Sequence, residues 1–148
     1  MYINVSVKDI NYNVHVYEYI NNFDKTIFML HGWGMDGSTF DNINTILKTR
    51  YNVISIDLIG FGKSDTMRNA FNLNDYAYML HNILNYYIER YKFENICFLG
   101  HSFGGRIIIK YLSCYKNNNL KGIILCSSAG IKNRSFKKYY KISGAKTR

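Results

Sequence analysis

Ile96-Cys97-Phe98-Leu99-Gly100-His101-Ser102-Phe103-Gly104-Gly105 is the stretch on which the reading of this chain turns. Four apolar residues in a row have the length and character of a strand covered on both faces. They run into a serine with a glycine two positions away on each side, the spacing G-x-S-x-G. Beyond it Ile107, Ile108 and Tyr111 can share one face, so a helix is expected over residues 102–116. A sharp strand-to-helix turn lifts its central side chain clear of the sheet but strains the backbone. Side chains two positions away would collide, and Gly100 and Gly104 remove them, while Gly105 gives further room between helix and strand. The stretch therefore predicts one raised hydroxyl, that of Ser102, at the carboxyl end of a buried strand.

Working outward, Thr26–Leu30, Val53–Asp57 and Gly122–Cys126 are similar apolar runs. Helical periods lie between them: Phe40, Ile43 and Leu47 on one face, then Tyr76, Leu80, Ile83, Tyr87 and Tyr91 over residues 73–91. Alternation of strand and helix implies right-handed crossovers and a parallel sheet. The first twenty residues differ. Ile3, Val5 and Val7 alternate, as does Val14-His15-Val16-Tyr17-Glu18-Tyr19, so an antiparallel hairpin of half-exposed strands is expected at one edge, with Asn11-Tyr12-Asn13 near its turn. The fold class is α/β. Ligands of such sheets bind beyond the carboxyl ends of the strands. Residues 31–34, 57–64, 100–105 and 127–130 should meet there.

The chain has 148 residues, 47% hydrophobic and 20% charged. A chain of this size buries roughly 68–70% of its unfolded surface, which suits one folded unit rather than a disordered segment. The formal charge of +9 is unevenly spread. Lys132, Arg134, Lys137, Lys138, Lys141, Lys146 and Arg148 lie in residues 132–148 without an acid, leaving residues 1–131 nearly neutral. A domain over residues 1–131 followed by a basic tail over 132–148 is the expected organisation, and the tail reads as a solvated end rather than a nucleic-acid surface. No apolar stretch could span a bilayer, and residues 1–7 do not have the pattern of a secretory signal, which points to the cytoplasm. Cys97 and Cys126 sit in apolar runs and are expected to be buried reduced thiols, with no metal-site spacing.

Two glycine clusters compete for the function. Gly32-Trp33-Gly34-Met35-Asp36-Gly37 spells G-x-G-x-x-G, with Asp57 at the end of the next strand, as in a dinucleotide-binding turn. That reading puts bulky Trp33 where a pyrophosphate must approach the backbone, and it leaves residues 100–105 unexplained. An acyl-transfer site uses both clusters, because a second loop must give backbone N–H donors to the oxyanion. Gly62-Lys63-Ser64 ends like a phosphate-binding loop, but Asp57 stands where the leading glycine belongs.

With His31-Gly32-Trp33-Gly34, Asp57-Leu58-Ile59-Gly60-Phe61-Gly62-Lys63-Ser64-Asp65 and Gly100-His101-Ser102-Phe103-Gly104-Gly105 in that order, the chain resembles the α/β-hydrolase superfamily in its single-domain esterase, thioesterase and C–C hydrolase branch. The resemblance covers residues 1 to about 131 and implies that fold, truncated after about the sixth strand. It implies Ser102 as nucleophile and the N–H groups of Trp33 and Phe103 as the oxyanion hole, with Gly32, Gly34, Gly100, Gly104 and Gly105 setting the geometry. It implies a small acyl substrate, no cofactor and no metal, with the 57–65 loop shaping the site without chemistry.

A serine needs a base and an acid to orient that base, in the family order Ser, Asp or Glu, His. After Ser102 there is no Asp, Glu or His; His15, His31, His81 and His101 all precede it. The expectation is the front portion of a serine hydrolase, its residues 131–141 opening a lid. Alone it should be inactive, marginal in stability and prone to aggregate unless a complementing fragment or an oligomer completes it. An inactive pseudo-hydrolase that binds a small ligand is the alternative, and a dinucleotide-binding domain the lesser one.

Overall fold

The structure is a computed structural model that describes residues 1–128. The 127–130 loop beyond Ser128, the boundary after residue 131, the basic tail and the expected lid segment lie outside the described residues. Within them the order is β1 (Tyr2–Val7), β2 (Ile10–Tyr19), β3 (Lys25–Leu30), a 3-10 turn (Gly37–Phe40), α1 (Asp41–Leu47), β4 (Asn52–Ile56), α2 (Leu73–Tyr91), β5 (Asn95–His101), α3 (Phe103–Cys114) and β6 (Leu120–Cys126). The six strands form one sheet in the order β1-β2-β4-β3-β5-β6. The pairs β4/β3, β3/β5 and β5/β6 are parallel; β1/β2 and β2/β4 are antiparallel. The α/β sheet with an amino-terminal hairpin is as the apolar runs predict.

The hairpin turn is not where the polar residues suggested. Ile3 pairs with Val14, Val5 with Tyr12 and Val7 with Ile10, so both strands set their apolar residues on one buried face. That register leaves only two residues for the turn, Lys8 and Asp9, at φ 53° and 59°. Positive φ at both central positions matches the twist of the flanking strands. Asn11-Tyr12-Asn13 lies inside β2 instead.

The two faces of the sheet are covered unequally. On one, α2 and α3 pack together over a core that includes Phe28, Ile56, Phe98, Leu80, Ile83, Tyr87, Ile107, Ile108 and Tyr111. Helix α2 starts in a capping box: Asn72 Oδ1 accepts from the N–H groups of Asn74 and Asp75, and Asp75 Oδ2 accepts from Asn72 N–H at 2.7 Å. Its Tyr91, expected on the apolar stripe, is half-buried.

On the other face short α1 and the 3-10 turn lie over Ile27, Met29, Val53 and Leu99. Phe40 and Leu47 reach this cluster, but Ile43 is 39% exposed. Asn44 takes the inward place, its Nδ2 donating to Ser55 Oγ on β4 at 3.3 Å. A helix of two turns over a polar residue on the strand below cannot bury three apolar positions as well. Ile124 of the outer strand β6 is 46% exposed, and Cys126 is exposed too, against expectation, because among the described residues nothing covers this end of the sheet. Cys97 is half-buried and burial raises its thiol pKa. All three cysteines are free thiols. No helix among the described residues is long and apolar enough to cross a membrane.

Candidate active site

Ser102 is the single residue between β5 and α3, at φ 49° and ψ −108°. A positive φ is uncommon for a residue with a Cβ and is costly to hold. The backbone holds it: Ser102 N–H donates to Cys126 C=O at 2.9 Å on β6, and Ser102 C=O accepts from Gly105 N–H at 3.1 Å. The glycines leave no room for a side chain. A Cβ on Gly100 would meet Gly105 N and Ile108 Cδ1 at 2.6 Å, and one on Gly104 would strike the Leu30 backbone. A Cβ on Gly105 would strike Ser128, in the loop after β6, and come within 3.4 Å of Leu125 on β6, so the room it gives lies toward β6 and the loop that follows it. Among the described residues the Ser102 hydroxyl has no hydrogen-bond partner.

Phe103 opens α3, and its N–H is one of the donors that a helix start leaves unpaired. The second loop follows β3. His31 is fully buried; its Nε2 accepts from Leu58 N–H at 3.0 Å, which places the ring proton on Nδ1, 2.7 Å from Gly32 C=O. Burial lowers the His31 pKa, in keeping with a neutral ring. Gly32 C=O also accepts from Met35 N–H at 3.2 Å. The Gly32–Trp33 peptide is thus gripped by its carbonyl, and its N–H, on the opposite side of the same plane, is left pointing away. Gly34 follows at φ 74°, a conformation suited to glycine. A Cβ on Gly32 would meet the His101 ring at 3.0 Å, so the residue before Ser102 roofs the residue before Trp33.

The 57–65 loop buttresses both. Asp57, fully buried just past β4, accepts at Oδ1 from Gly37 N–H (2.6 Å) and at Oδ2 from Lys63 N–H (2.9 Å) and His15 Nδ1–H (3.0 Å). Ser64 Oγ donates to Asp57 C=O at 2.6 Å and accepts from His15 N–H at 2.8 Å. The alternation in β2 put His15 on an exposed face; this loop, folded across it, leaves His15 only 8% exposed. The pairing of residues 42 apart had no local signal in the sequence. With its oxygens so occupied, Asp57 has no reach toward a ribose, and the dinucleotide reading fails on geometry. Lys63 packs over Tyr17, 5.5 Å from the ring centroid, rather than over a phosphate loop.

None of the four histidines is hydrogen-bonded to Ser102. His15 lies three strands from β5, about 14 Å at the usual strand spacing. Both His31 nitrogens are engaged. His81 is stacked on Tyr115 between α2 and α3, with centroids 4.2 Å apart. His101 lies over Gly32. Among the described residues no group of three or more His, Cys, Asp or Glu side chains could hold a metal ion.

Comparison with known proteins agrees with this geometry. The family described as alpha/beta hydrolase fold matches residues 25–141. The AB hydrolase superfamily protein YisY of Bacillus subtilis is 30% identical over 106 residues, 71% of this chain and 38% of that protein. Protein phosphatase methylesterase 1 of Candida albicans is 31% identical over 100 residues, 67% of this chain and 28% of that one. The structure of an esterase from Exiguobacterium antarcticum superposes with a TM-score of 0.74 at 27% identity, covering 88% of this chain and 46% of the esterase. The chain thus spans less than half the length of each of these relatives. An ordered set of three loops at the carboxyl edge of this sheet, and a family match over most of the chain, together make it a member of the α/β-hydrolase family.

Proposed function

We propose that this chain carries the nucleophile and the oxyanion hole of a serine hydrolase acting on a carboxylic ester, thioester or related acyl substrate. The observation that carries the reading is the Ser102 turn: strained, glycine-lined and with its hydroxyl unengaged among the described residues. Ser102 Oγ attacks the acyl carbon, and the carbonyl π-electrons move onto oxygen. The N–H groups of Trp33 and Phe103 receive that oxyanion, the first aimed by the His31 grip on Gly32 C=O and the second by the start of α3. Collapse expels the alcohol or thiol, which takes a proton, and leaves the acyl group on Ser102. Water then attacks in the same way and releases the acid. The esterase and methylesterase among the relatives support an ester substrate.

Taking the proton from Ser102 requires a base, and no histidine of these 148 residues is placed for it. We assign the acid and the histidine of a triad to polypeptide other than these 148 residues. The chain by itself then retains only what an oxyanion hole gives, of the order of 10³–10⁴-fold over water. The test is the rate at which a fluorophosphonate labels the native chain, with the adduct mapped by peptide mass spectrometry. The expected result is a slow adduct confined to Ser102, lost in Ser102→Ala and lost on unfolding in urea. Equal labelling of native and unfolded chain would reject the reading in favour of a module that binds a small ligand without turnover.

A further inference from the structure

We infer that Trp33, Phe61 and Phe103 form the seat for an uncharged, apolar group of the substrate, an aryl ring or an alkyl chain of several carbons. The inference rests on the hydrolase reading and narrows its substrate class. Trp33 is 63% exposed, more than any other aromatic side chain among the large exposed hydrophobics of the described residues. A tryptophan left in water at a loop tip would ordinarily be free to turn; this one packs against two neighbouring rings. Its ring meets Phe61 edge-on at 4.9 Å and 74°, and Phe103 at 5.2 Å and 87°. Phe61 is backed by the buried His31 ring at 5.7 Å. Phe103 is backed at 5.3 Å by Tyr76, itself buried and tied through its hydroxyl to Ile59 C=O at 3.0 Å. Edge-to-face packing leaves ring faces free to receive a further apolar group.

The position of this wall ties it to the chemistry. Trp33 and Phe103 are the two residues whose N–H groups are proposed to hold the oxyanion. An acyl carbonyl seated there has their rings within one side chain's length. The wall holds no formal charge. Of the charged groups near it in sequence, Asp36 accepts from Ser38 and Lys63 lies over Tyr17, while Arg106 is exposed on α3, one turn beyond Phe103. An aromatic wall whose own side chains carry no charge favours an apolar group over a carboxylate or ammonium.

Trp33 is the only tryptophan, so its fluorescence reports on the seat directly. The experiment titrates the Ser102→Ala chain, which cannot form an adduct, with methyl acetate, methyl hexanoate, methyl octanoate and monomethyl succinate while following Trp33 emission. Affinity should rise at least tenfold from acetate to octanoate, with succinate no better than acetate. Phe61→Ala should remove most of the gain, and Phe103→Leu, which keeps the helix start, should reduce it if Phe61→Ala fails to fold. Equal affinity across the series, or tight succinate binding, overturns the proposal. So does an emission shift with phosphatidylcholine vesicles but with none of the monomeric esters, which would mark Trp33 as a surface anchor instead. The hydrolase reading fails separately, since fluorophosphonate labelling of the wild-type chain does not depend on chain-length preference in the alanine variant.

Discussion

Ser64 and Ser102 both follow strands of the same sheet at its carboxyl edge, and the fold treats them in opposite ways. Ser64 lies beside a histidine and an aspartate, the companions a catalytic serine would want. Yet its hydroxyl donates to Asp57 C=O and accepts from His15 N–H, while the His15 ring turns to the Asp57 carboxylate instead of to Ser64. Every polar group there is spent on shape. Ser102 has no histidine or aspartate hydrogen-bonded to it among the described residues, but it has the strained turn, a hydroxyl without a partner there and the N–H of Phe103 beside it. A choice by neighbouring residue types would fall on Ser64, whereas the proposed nucleophile is Ser102. Geometry separates them, because a buried polar cluster that is fully paired stabilises a loop, whereas a nucleophile needs its hydrogen-bonding capacity left for a base and a substrate.

The largest break in this contrast should come from Asp57→Ala. It strands the N–H groups of Gly37 and Lys63 and the His15 ring, and should cost about 3–5 kcal/mol in urea unfolding. A loss under about 1 kcal/mol would deny the loop its buttressing role. Ser64→Ala should cost about 1–3 kcal/mol, leaving Asp57 C=O and His15 N–H short of a partner. Fluorophosphonate labelling of Ser102 in that variant should match the wild type, and a shared loss would merge the two serines into one site.

Substitution at Ser102 should run the other way. Because φ is 49° and ψ −108°, Ser102→Gly should be more stable than Ser102→Ala by about 1 kcal/mol, read from paired urea midpoints. The smallest effect concerns His31. Burial holds its folded pKa below the ordinary histidine value of about 6.5, so below that pH the unfolded chain takes up a proton that the native chain resists. Its contribution to stability is therefore whole above about pH 6.5 and is lost as pH falls toward the folded pKa, at no more than about 1.4 kcal/mol per pH unit. Melting temperatures between pH 8 and pH 5 should show this slope, and His31→Asn should flatten it.

Much of this architecture is legible in local sequence. Continuous apolar runs mark β3 to β6, periods of three and four mark α2 and α3, and the spacing of Gly100 and Gly104 marks the turn at Ser102. Local patterns fail where something distant covers a face or leaves it bare. His15 alternates like a solvent-facing residue until the 57–65 loop closes over it. Cys126 sits in an apolar run, yet it is exposed on the outer strand of the described sheet. Ile43 has the right period for a buried stripe, but Ser55 on the strand beneath calls for Asn44 instead. The turn at Lys8–Asp9 lacks the glycine or asparagine that usually announces positive φ, and only the pairing of the two apolar strands locates it. In the proposed site, the roles of Trp33 and Phe103 come from the family resemblance, whereas the His31 grip on the Gly32 carbonyl needed coordinates.

The His101 ring resting on Gly32 makes these two positions, 69 residues apart, mutually dependent in any mutational history of the protein. A Cβ at 32 would press on His101 Nδ1 at 3.0 Å and on Met35 Sδ at 3.2 Å, so it enters only where those side chains give by a few tenths of an ångström, and shrinking 101 first opens a void beside the loop after β3. Either order changes the packing around the partner position, so substitutions at the two positions should not be independent. A library that varies the two codons jointly would reach combinations that stepwise evolution seldom samples.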